Sequence, residues 1–511
     1  MLIASSAISK PVVNVALAIC LVLFVRDWRA GRVQIRRTPL DAPILAWILI
    51  SVFAGLTSID PLRSFRDLRN IGHWSAFYFV AWAVAGSARP VLLQEIWLGA
   101  GSLCVLQALL QLVFNFDLQG RDRPVPSGFF GGHLELGHFM VLLLALAIPR
   151  LASAETARER RVLFVAILGF GVSLVACGGR GPWLAFVAVV VTWAVLERRF
   201  AALRVLLLIA LLQVAFLAGR HHGLEAFYRS YFAFENDAPA EIEQARVASN
   251  RWRISMWREG LQRFALRPVT GTGVETTGDL SQDFRTPFPD LAVAHLHSNY
   301  FEILMSRGFF GLAAFFWLML VAVRWLLGEI GRHPPGAARA AVFAGVGGVV
   351  AHLVHGLTQF TFGASWIQMG FFIALGLAAG EWLRHVPAEG QETTIEGAEI
   401  RWGMLTIALC LLVTPWLAVH PVFASLLTTA ACLDSAVRWV AGRQSSCETA
   451  LTAAFAFVVV ASLCLLAASP GLEGVSGNVM LAAGAPFGLS WATLRVRRFG
   501  LRTARPELAH G

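Results

Sequence analysis

RGFFGLAAFFWLMLVAVRWLL at residues 307–327 decides the fold class. Apart from Arg307 and Arg324 the stretch is uncharged, and it is long enough to cross a bilayer. A transmembrane helix takes about 20 apolar residues, since every backbone amide must be bonded within its own segment. Comparable runs recur along the chain, one of them at 202–219. We therefore expect an all-α integral membrane protein, a polytopic helix bundle with about 12–15 transmembrane helices.

The composition supports a bilayer as the main solvent of this chain. Of its 511 residues 57% are hydrophobic and 14% are charged, and the mean hydropathy is +0.63. The net charge of +10 could suggest nucleic acid, but the basic residues sit in short loops between apolar runs. Topology explains them there, so we expect membrane lipids and no nucleic acid as partners. Six of the seven cysteines lie in or beside apolar runs without metal-type spacing, so no disulfide framework is expected.

Arginine-rich short loops mark the cytoplasmic side of a membrane protein. Clusters at 26–37, 158–161 and 198–204 all fall on one side when the helices between them are counted. The opposite side then carries the segments 60–70, 116–132, 179–181, 220–297 and 358–363. The first apolar run lacks a cleavage pattern, and we expect this first helix to be retained.

The same count gives the domain organisation. We expect N-terminal transmembrane helices at 1–219, a large outer loop at 220–297, further transmembrane helices at 298–385, a polar cytoplasmic linker at 386–401, and accessory C-terminal helices with a basic tail at 402–511. The outer loop cannot lie in lipid, and loops of this length are usually functional. We expect it to bear the active site.

Within that loop, residues 240–263 have apolar residues spaced by three and four, which predicts an amphipathic helix. Arg253 and Trp257 share one face of it, and Arg251 and Arg258 share a neighbouring face. Two interpretations stay open. The arginines could form a cationic face that meets lipid headgroups, or their planar guanidinium groups could bind a diphosphate.

Further residues that could bind a substrate lie later in the loop and in the outer segment 60–70. Gly271 and Gly273, in PVTGTG, could present backbone amides to phosphate, although a turn that ends a helix needs the same glycines. Arg66 and Arg69, with Arg63, lie on the outer side against the charge rule. They are either tolerated there or hold an anionic lipid or substrate group.

His297 and Arg180 are the remaining candidates for chemistry. His295 and His297 precede a membrane helix at the outer boundary, where an imidazole can accept a proton from a sugar hydroxyl. Two histidines at i and i+2 make a poor zinc site. Arg180 interrupts an apolar run, where a charge costs roughly 2.5–3.5 kcal/mol at the bilayer centre. It either snorkels to the surface or binds a ligand beside Gly179 and Gly181.

The pattern H-S-x9-G-F-F-G, from His297 and Ser298 to Gly308 and Gly311, resembles the histidine signature of the O-antigen ligase and O-antigen polymerase superfamily. Three further features agree with that family: Arg253-x-x-x-Trp257 followed by Pro268-x-x-Gly271-x-Gly273, the Gly-Arg-Gly turn at Arg180, and RPVPSGFFGG at 123–132. The resemblance covers roughly residues 40–385. Ser298 stands where many relatives carry Asn.

The resemblance implies a GT-C-like membrane fold and a glycosyltransferase in the bacterial inner membrane with its active site facing the periplasm. The donor would be an undecaprenyl-diphosphate-linked glycan, and the acceptor lipid A-core or another glycan or protein. Arg180 and Arg253 would bind the donor diphosphate, and His297 would act on the acceptor hydroxyl. Since the chain has no Asp-x-Asp triplet, we expect the arginines to replace a divalent ion, without metal or cofactor.

Three alternatives stay open at this point. The first is a polymerase that joins repeat units of an O-antigen or exopolysaccharide, and the second is a protein O-oligosaccharyltransferase. The third belongs to a different class, a membrane transporter or lipid flippase. Transporters commonly show internal repeats and broken helices at mid-membrane. This sequence has neither obvious repeats nor a strong run of mid-membrane charges, and it has instead a long outer loop rich in arginine and histidine.

Overall fold

The computed structural model describes residues 1–8, 10–30, 36–120, 125–199, 241–280, 294–363 and 365–386. The span predicted at 202–219, most of the predicted linker and the C-terminal helices at 402–511 lie outside these described residues. The chain divides into two compact units, and all described residues except Phe309–Leu318 belong to the first.

Helices make up the regular structure of the first two hundred residues. They are α1 (Leu2–Ser5), α2 (Lys10–Arg29), α3 (Asp41–Leu56), α4 (Pro61–Asp67) with a following 3-10 turn (Leu68–Trp74), α5 (Ser75–Gly86), α6 (Pro90–Phe114), α7 (His133–Ala152), α8 (Ala157–Ala176) and α9 (Arg180–Leu196).

The described part of the second half is helical as well. It contains α10 (Glu241–Leu266), α11 (Thr277–Leu280), α12 (Asn299–Ile330), α13 (Ala337–His355) and α14 (Ser365–His385). The amphipathic helix predicted at 240–263 is thus present as α10.

Five of the described helices are long and apolar enough to cross a membrane, namely α6, α7, α12, α13 and α14. Large apolar side chains on the outer helices are exposed, among them Leu45 and Leu49 on α3 and Val162 and Val165 on α8. In water such surface would be unfavourable, whereas lipid tails solvate it. The predicted class, an all-α polytopic membrane bundle, is confirmed.

Three of these long helices, α7, α13 and α14, form the centre of the bundle. α13 packs on α7, α9 and α14, and α14 packs on α5. Gly376 and Gly380 let α14 approach α5 closely, because a Cβ atom at either position would lie under 3 Å from atoms of Phe77, Val80 or Val84. Small residues four apart permit such contacts between membrane helices.

The two ends of the bundle carry different residues. At one end lie ion pairs between helix termini, such as Arg150 with Glu159 and Arg339 with Glu197. At the other end, the backbone N–H of Ile59 donates to Thr272 O at 2.9 Å, and Arg63 pairs with Asp279. This second end therefore brings the loop after α3 together with the segment between α10 and α11.

The turn between α13 and α14 is held by one buried residue, Asn299. Its Oδ1 accepts the backbone N–H groups of Thr361 and Phe362 at 2.7 and 2.9 Å. Its Nδ2 donates to Thr361 Oγ1 at 2.8 Å and to His352 O at 3.2 Å. The first residue of α12 thereby fixes the backbone of the turn that carries Gln359.

Glycine backbones form a second close contact at this end. Gly308 interrupts α12 with φ +65°, and a Cβ there would lie 2.3 Å from Val269 O. A Cβ on Gly271, which has φ +70°, would lie 2.5–2.6 Å from the backbone of 306–308. Side chains would separate the two segments, so the glycines of the 268–273 motif and of the G-F-F-G motif serve one backbone contact.

We expect Asn299→Ala to lower the free energy of unfolding by about 1–3 kcal/mol, because it leaves two buried N–H groups without their acceptor. The measurement is the thermal unfolding midpoint of the purified protein in detergent. Ser102→Ala is the matched control, since the Ser102 hydroxyl donates only to Leu98 O of its own helix. Equal midpoints for the two variants would contradict this role of Asn299.

Candidate functional site

Arg180 lies at the first turn of α9, directly after the N-cap residue Gly179. The amide groups of a helix N-terminus carry a partial positive charge, which adds to that of the guanidinium group. Gly181 lies against α13, because a Cβ there would be 2.4 Å from His355 Cδ2 and 2.7 Å from Thr358 Oγ1. The Gly-Arg-Gly turn is therefore held close to the end of α13.

Arg253 reaches the same place from α10. It is half-buried, and its Nε atom is shielded from solvent without a hydrogen-bond partner among the described residues. Burial and the nearby positive charge of Arg180 lower its pKa to about 10. No acidic side chain of the described chain forms an ion pair with Arg253. Two guanidinium groups thus face one region without a carboxylate at Arg253 to balance them.

His297 is the third group of this region. Its Nδ1 lies 2.8 Å from Gln359 Oε1. An amide oxygen only accepts, so Nδ1 carries the proton and Nε2 keeps its lone pair. Burial and the charge of Arg253 lower the pKa of His297, against the opposing effect of Gln359. The imidazole is therefore neutral near pH 7, with Nε2 able to accept a proton.

His295 packs against His297, with ring centroids 4.4 Å apart. Its Nδ1 accepts the backbone N–H of His297 at 3.3 Å. Burial, followed by the effect of His297, lowers the pKa of His295 to about 4. His295 therefore stays neutral and supports the backbone of His297, which has the unusual φ of +49°.

Leu296, between the two histidines, anchors the segment through both of its backbone groups. Its carbonyl accepts from Trp257 Nε1 at 2.7 Å, and its N–H donates to Glu302 Oε2 at 2.7 Å. Trp257 also stacks on Phe301, with centroids 4.9 Å apart. Glu302 Oε1 accepts from Thr277 Oγ1 at 2.7 Å. The predicted pair of Arg253 and Trp257 thus has two different roles. Trp257 holds the backbone of the segment that carries His297, whereas the charge of Arg253 interacts with that of Arg180.

The indole beside the histidine belongs to Trp252, whose ring lies 5.6 Å from that of His297. The helical spacing pairs Trp257 with Arg253, and it does not single out Trp252. Arg258 is exposed on the same helix. The side chains of Arg251, Arg66 and Arg69 lie outside the described part of the chain.

The backbone N–H groups of Gly271 and Gly273 form hydrogen bonds within the fold. The N–H groups of Gly271, Thr272 and Gly273 donate to Arg267 O, Met305 O and Ser306 O at 2.8–3.0 Å. They are thus used within the fold rather than presented to a phosphate. Ser298 caps α12, and its hydroxyl donates to Gly356 O at 3.2 Å. The hydrogen bonds of Gly271, Gly273 and Ser298 thus support the backbone around the site, and we assign none of the three a role in ligand binding.

Polar residues of other segments complete the surroundings, and the motifs in the sequence did not reveal them. Gln359, Glu302 and three buried histidines, His138, His352 and His355, belong to this group. A histidine inside an apolar run, as His138 is, was the available signal, because titratable residues in membrane helices are usually functional. Among the described residues, no group of three or more His, Cys, Asp or Glu could hold a metal ion.

The fold and the site together define a multi-pass membrane protein with paired arginines and a neutral histidine at one end of its helix bundle. Residues 163–316 match a family model described as O-antigen ligase. The match confirms the resemblance drawn from the motifs for this segment, which is similar to the O-antigen ligase family. The matched segment, less than a third of the chain, contains Arg180, Arg253 and His297. No curated protein matches the chain.

We expect Glu302→Leu to loosen the histidine segment. Leucine has a similar volume but accepts no hydrogen bond, so both the Leu296 N–H and the Thr277 hydroxyl lose their acceptor. Hydrogen exchange of peptides covering 294–298 should become faster, while exchange at α7 stays unchanged. Glu155→Leu, at an exposed carboxylate, is the control. Unchanged exchange at 294–298 would contradict the anchoring role of Glu302.

Proposed function

We propose that this protein is a glycosyltransferase of the O-antigen ligase type. It moves a glycan from undecaprenyl diphosphate to a hydroxyl of lipid A-core or a similar acceptor, at the periplasmic face of the bacterial inner membrane. The observation that carries the proposal is the pair of Arg180 and Arg253. Burial and the charge of Arg180 lower the pKa of Arg253 to about 10. No described carboxylate forms an ion pair with Arg253.

An anion is the ligand that such a site favours. Bringing two guanidinium groups together out of water is unfavourable until a negative group enters between them. A diphosphate suits them best, because each planar guanidinium can donate two parallel hydrogen bonds to phosphate oxygens. The N-terminus of α9 adds backbone dipoles that favour the same charge.

These positions support a direct displacement as the reaction. The acceptor hydroxyl oxygen attacks the anomeric carbon, and the bond from that carbon to the diphosphate oxygen breaks. The leaving diphosphate keeps the electron pair, and its growing negative charge is stabilised by Arg180 and Arg253. The hydroxyl proton passes to Nε2 of His297, whose lone pair is free because Nδ1 donates to Gln359. In-line attack of this kind inverts the anomeric centre.

The two arginines take the place that a divalent cation has in other phosphate-transfer sites, and we propose a metal-independent reaction. Preorganised positive groups in a partly desolvated site stabilise a transition state more strongly than they would in water. The surrounding contacts supply this preorganisation: Gly181 against His355 fixes the turn of Arg180, and Trp257 fixes the segment that carries His297.

The first test is transfer by purified protein in nanodiscs, with an undecaprenyl-diphosphate glycan and no ATP or added metal. Arg180→Lys and Arg253→Lys keep the charge but remove the fork, so we expect the transfer rate to fall about 10²- to 10³-fold in each. Arg332→Lys, at an exposed arginine of the opposite end, is the control. Full activity in either site variant would contradict diphosphate binding by that arginine.

The acceptor in this assay separates the members of the class. Transfer to lipid A-core identifies a ligase, transfer to a second lipid-linked glycan identifies a polymerase, and transfer to a peptide hydroxyl identifies a protein oligosaccharyltransferase. A transporter or flippase would move the lipid without breaking the sugar–phosphate bond. Intact donor after incubation with every acceptor would therefore contradict the proposed enzyme class.

The second test is the pH dependence of the transfer rate. If His297 accepts the proton, only its neutral form is active, so the rate is retained at higher pH and falls as pH drops through its pKa. Burial and Arg253 lower that pKa from the ordinary 6.5, so the midpoint of the acid limb should lie below pH 6.5.

Two variants should shift this limb in opposite directions. Arg253→Gln removes a positive charge and should raise the midpoint. Gln359→Leu removes the acceptor that favours the protonated ring, and should lower the midpoint. His333→Gln, at a histidine beside Glu329, is the control and should leave the midpoint in place. If the limb does not move in either site variant, His297 is not the group that titrates.

A further inference from the structure

Three buried histidines form a chain of contacts between α7 and α13. His138 Nδ1 lies 2.9 Å from His355 Nδ1, and His138 Nε2 lies 3.3 Å from His352 Nδ1. All three side chains are almost fully shielded from solvent. Burying an ionisable side chain inside a membrane bundle costs free energy, and the proposed transfer reaction assigns no role to these three histidines.

The direction of the hydrogen bonds in this chain follows from its inner end. His352 Nδ1 lies 3.0 Å from the carbonyl oxygen of Gly348. A carbonyl only accepts, so His352 carries its proton on Nδ1 and shares it with His138 Nε2. His138 Nε2 is then the acceptor, and the proton of His138 lies on Nδ1. That N–H donates to His355 Nδ1, which leaves the proton of His355 on Nε2.

The free N–H of His355 faces the arginine turn. A Cβ atom on Gly181 would be 2.8 Å from His355 Nε2 and 2.4 Å from its Cδ2, so this edge of the ring lies against the residue after Arg180. Arg253 is close enough for its charge to act on His355 as well. No described residue accepts a hydrogen bond from this Nε2. The donor therefore lies against the first turn of α9, which carries Arg180.

We propose that His355 is a third ligand of the donor diphosphate, which it binds as a neutral imidazole through Nε2–H, and that His138 and His352 are positioning residues that fix this tautomer. The inference rests on the proposed function, since it assigns a further residue to the same anion site. A neutral donor suits this place, because a third cation beside Arg180 and Arg253 would add repulsion before the ligand binds.

Binding of glycan-free undecaprenyl diphosphate to the full-length protein in nanodiscs tests the ligand role. His355→Leu removes the donor at similar volume, and we expect about tenfold weaker binding, as for the loss of one hydrogen bond to a charged group. His355→Gln can restore a donor and should recover most of the affinity. His333→Leu is the matched control for loss of a buried histidine, and should bind like wild type.

The outcomes separate the two proposals. If wild type does not bind the probe, or if the Arg180→Ala variant binds it as well as wild type does, the proposed function fails. If wild type binds, Arg180→Ala does not, and His355→Leu binds like wild type, the function stands and the role of His355 is overturned. Equal loss in His355→Leu and His355→Gln would also overturn it, because the effect would then not follow the donor.

Solid-state ¹⁵N NMR of histidine-labelled protein tests the positioning role. Wild type should show His355 as the neutral tautomer with a proton on Nε2, and His138 with a proton on Nδ1. In His138→Leu the constraint on His355 is gone, and a mixture of tautomers should appear. A wild-type His355 protonated on Nδ1 would overturn the chain of hydrogen bonds, whether or not the His138→Leu variant folds.

Discussion

The candidate site depends on one unfavourable interaction, the repulsion between the charges of Arg253 and Arg180 where Arg253 is largely buried. Two like charges at close range repel, and removal from water adds a desolvation cost for each. Burial and the charge of Arg180 both lower the pKa of Arg253. Such an arrangement persists only when the surrounding fold holds both groups in place, and it becomes favourable when an anion binds. The framework around the arginines is best understood as the means of holding them.

That framework uses bonds to the backbone more than ion pairs. α10 carries Arg253, and one turn later it carries Trp257, whose indole N–H holds Leu296 O. A displacement of α10 would therefore move the histidine segment with it. Glu302 ties Leu296 to Thr277 at the start of α11, and Asn299 ties the start of α12 to the turn that carries Gln359. Arg253, His297 and Gln359 are thus positioned by a single connected set of hydrogen bonds.

The sequence predicted the features that depend on local pattern. Apolar runs predicted the membrane helices, and spacing by three and four predicted α10, because both follow from backbone hydrogen bonding within one segment. Arg180 was a candidate because a charge inside an apolar run is costly. The partners of these residues follow from tertiary packing instead. Nothing in the spacing shows that Trp252 rather than Trp257 lies beside His297. Nor does it show that His297 is hydrogen-bonded to Gln359, which is 62 positions further along the chain. The glycines at 271 and 273 resembled a phosphate-binding turn because a tight backbone contact and an anion site require the same residue type.

The candidate site uses residues both inside and outside the segment that matches the O-antigen ligase family model. Residues 163–316 contain the two arginines and His297. The acceptor that sets the tautomer of His297, Gln359, lies between α13 and α14, and His355 and His138 come from α13 and α7. The matched segment thus supplies the charged groups, while helices before and after it supply neutral partners that determine which nitrogen donates and which accepts. The proposed reaction needs this division, since a protonated His297 would bind the leaving diphosphate but could not take a proton from the acceptor.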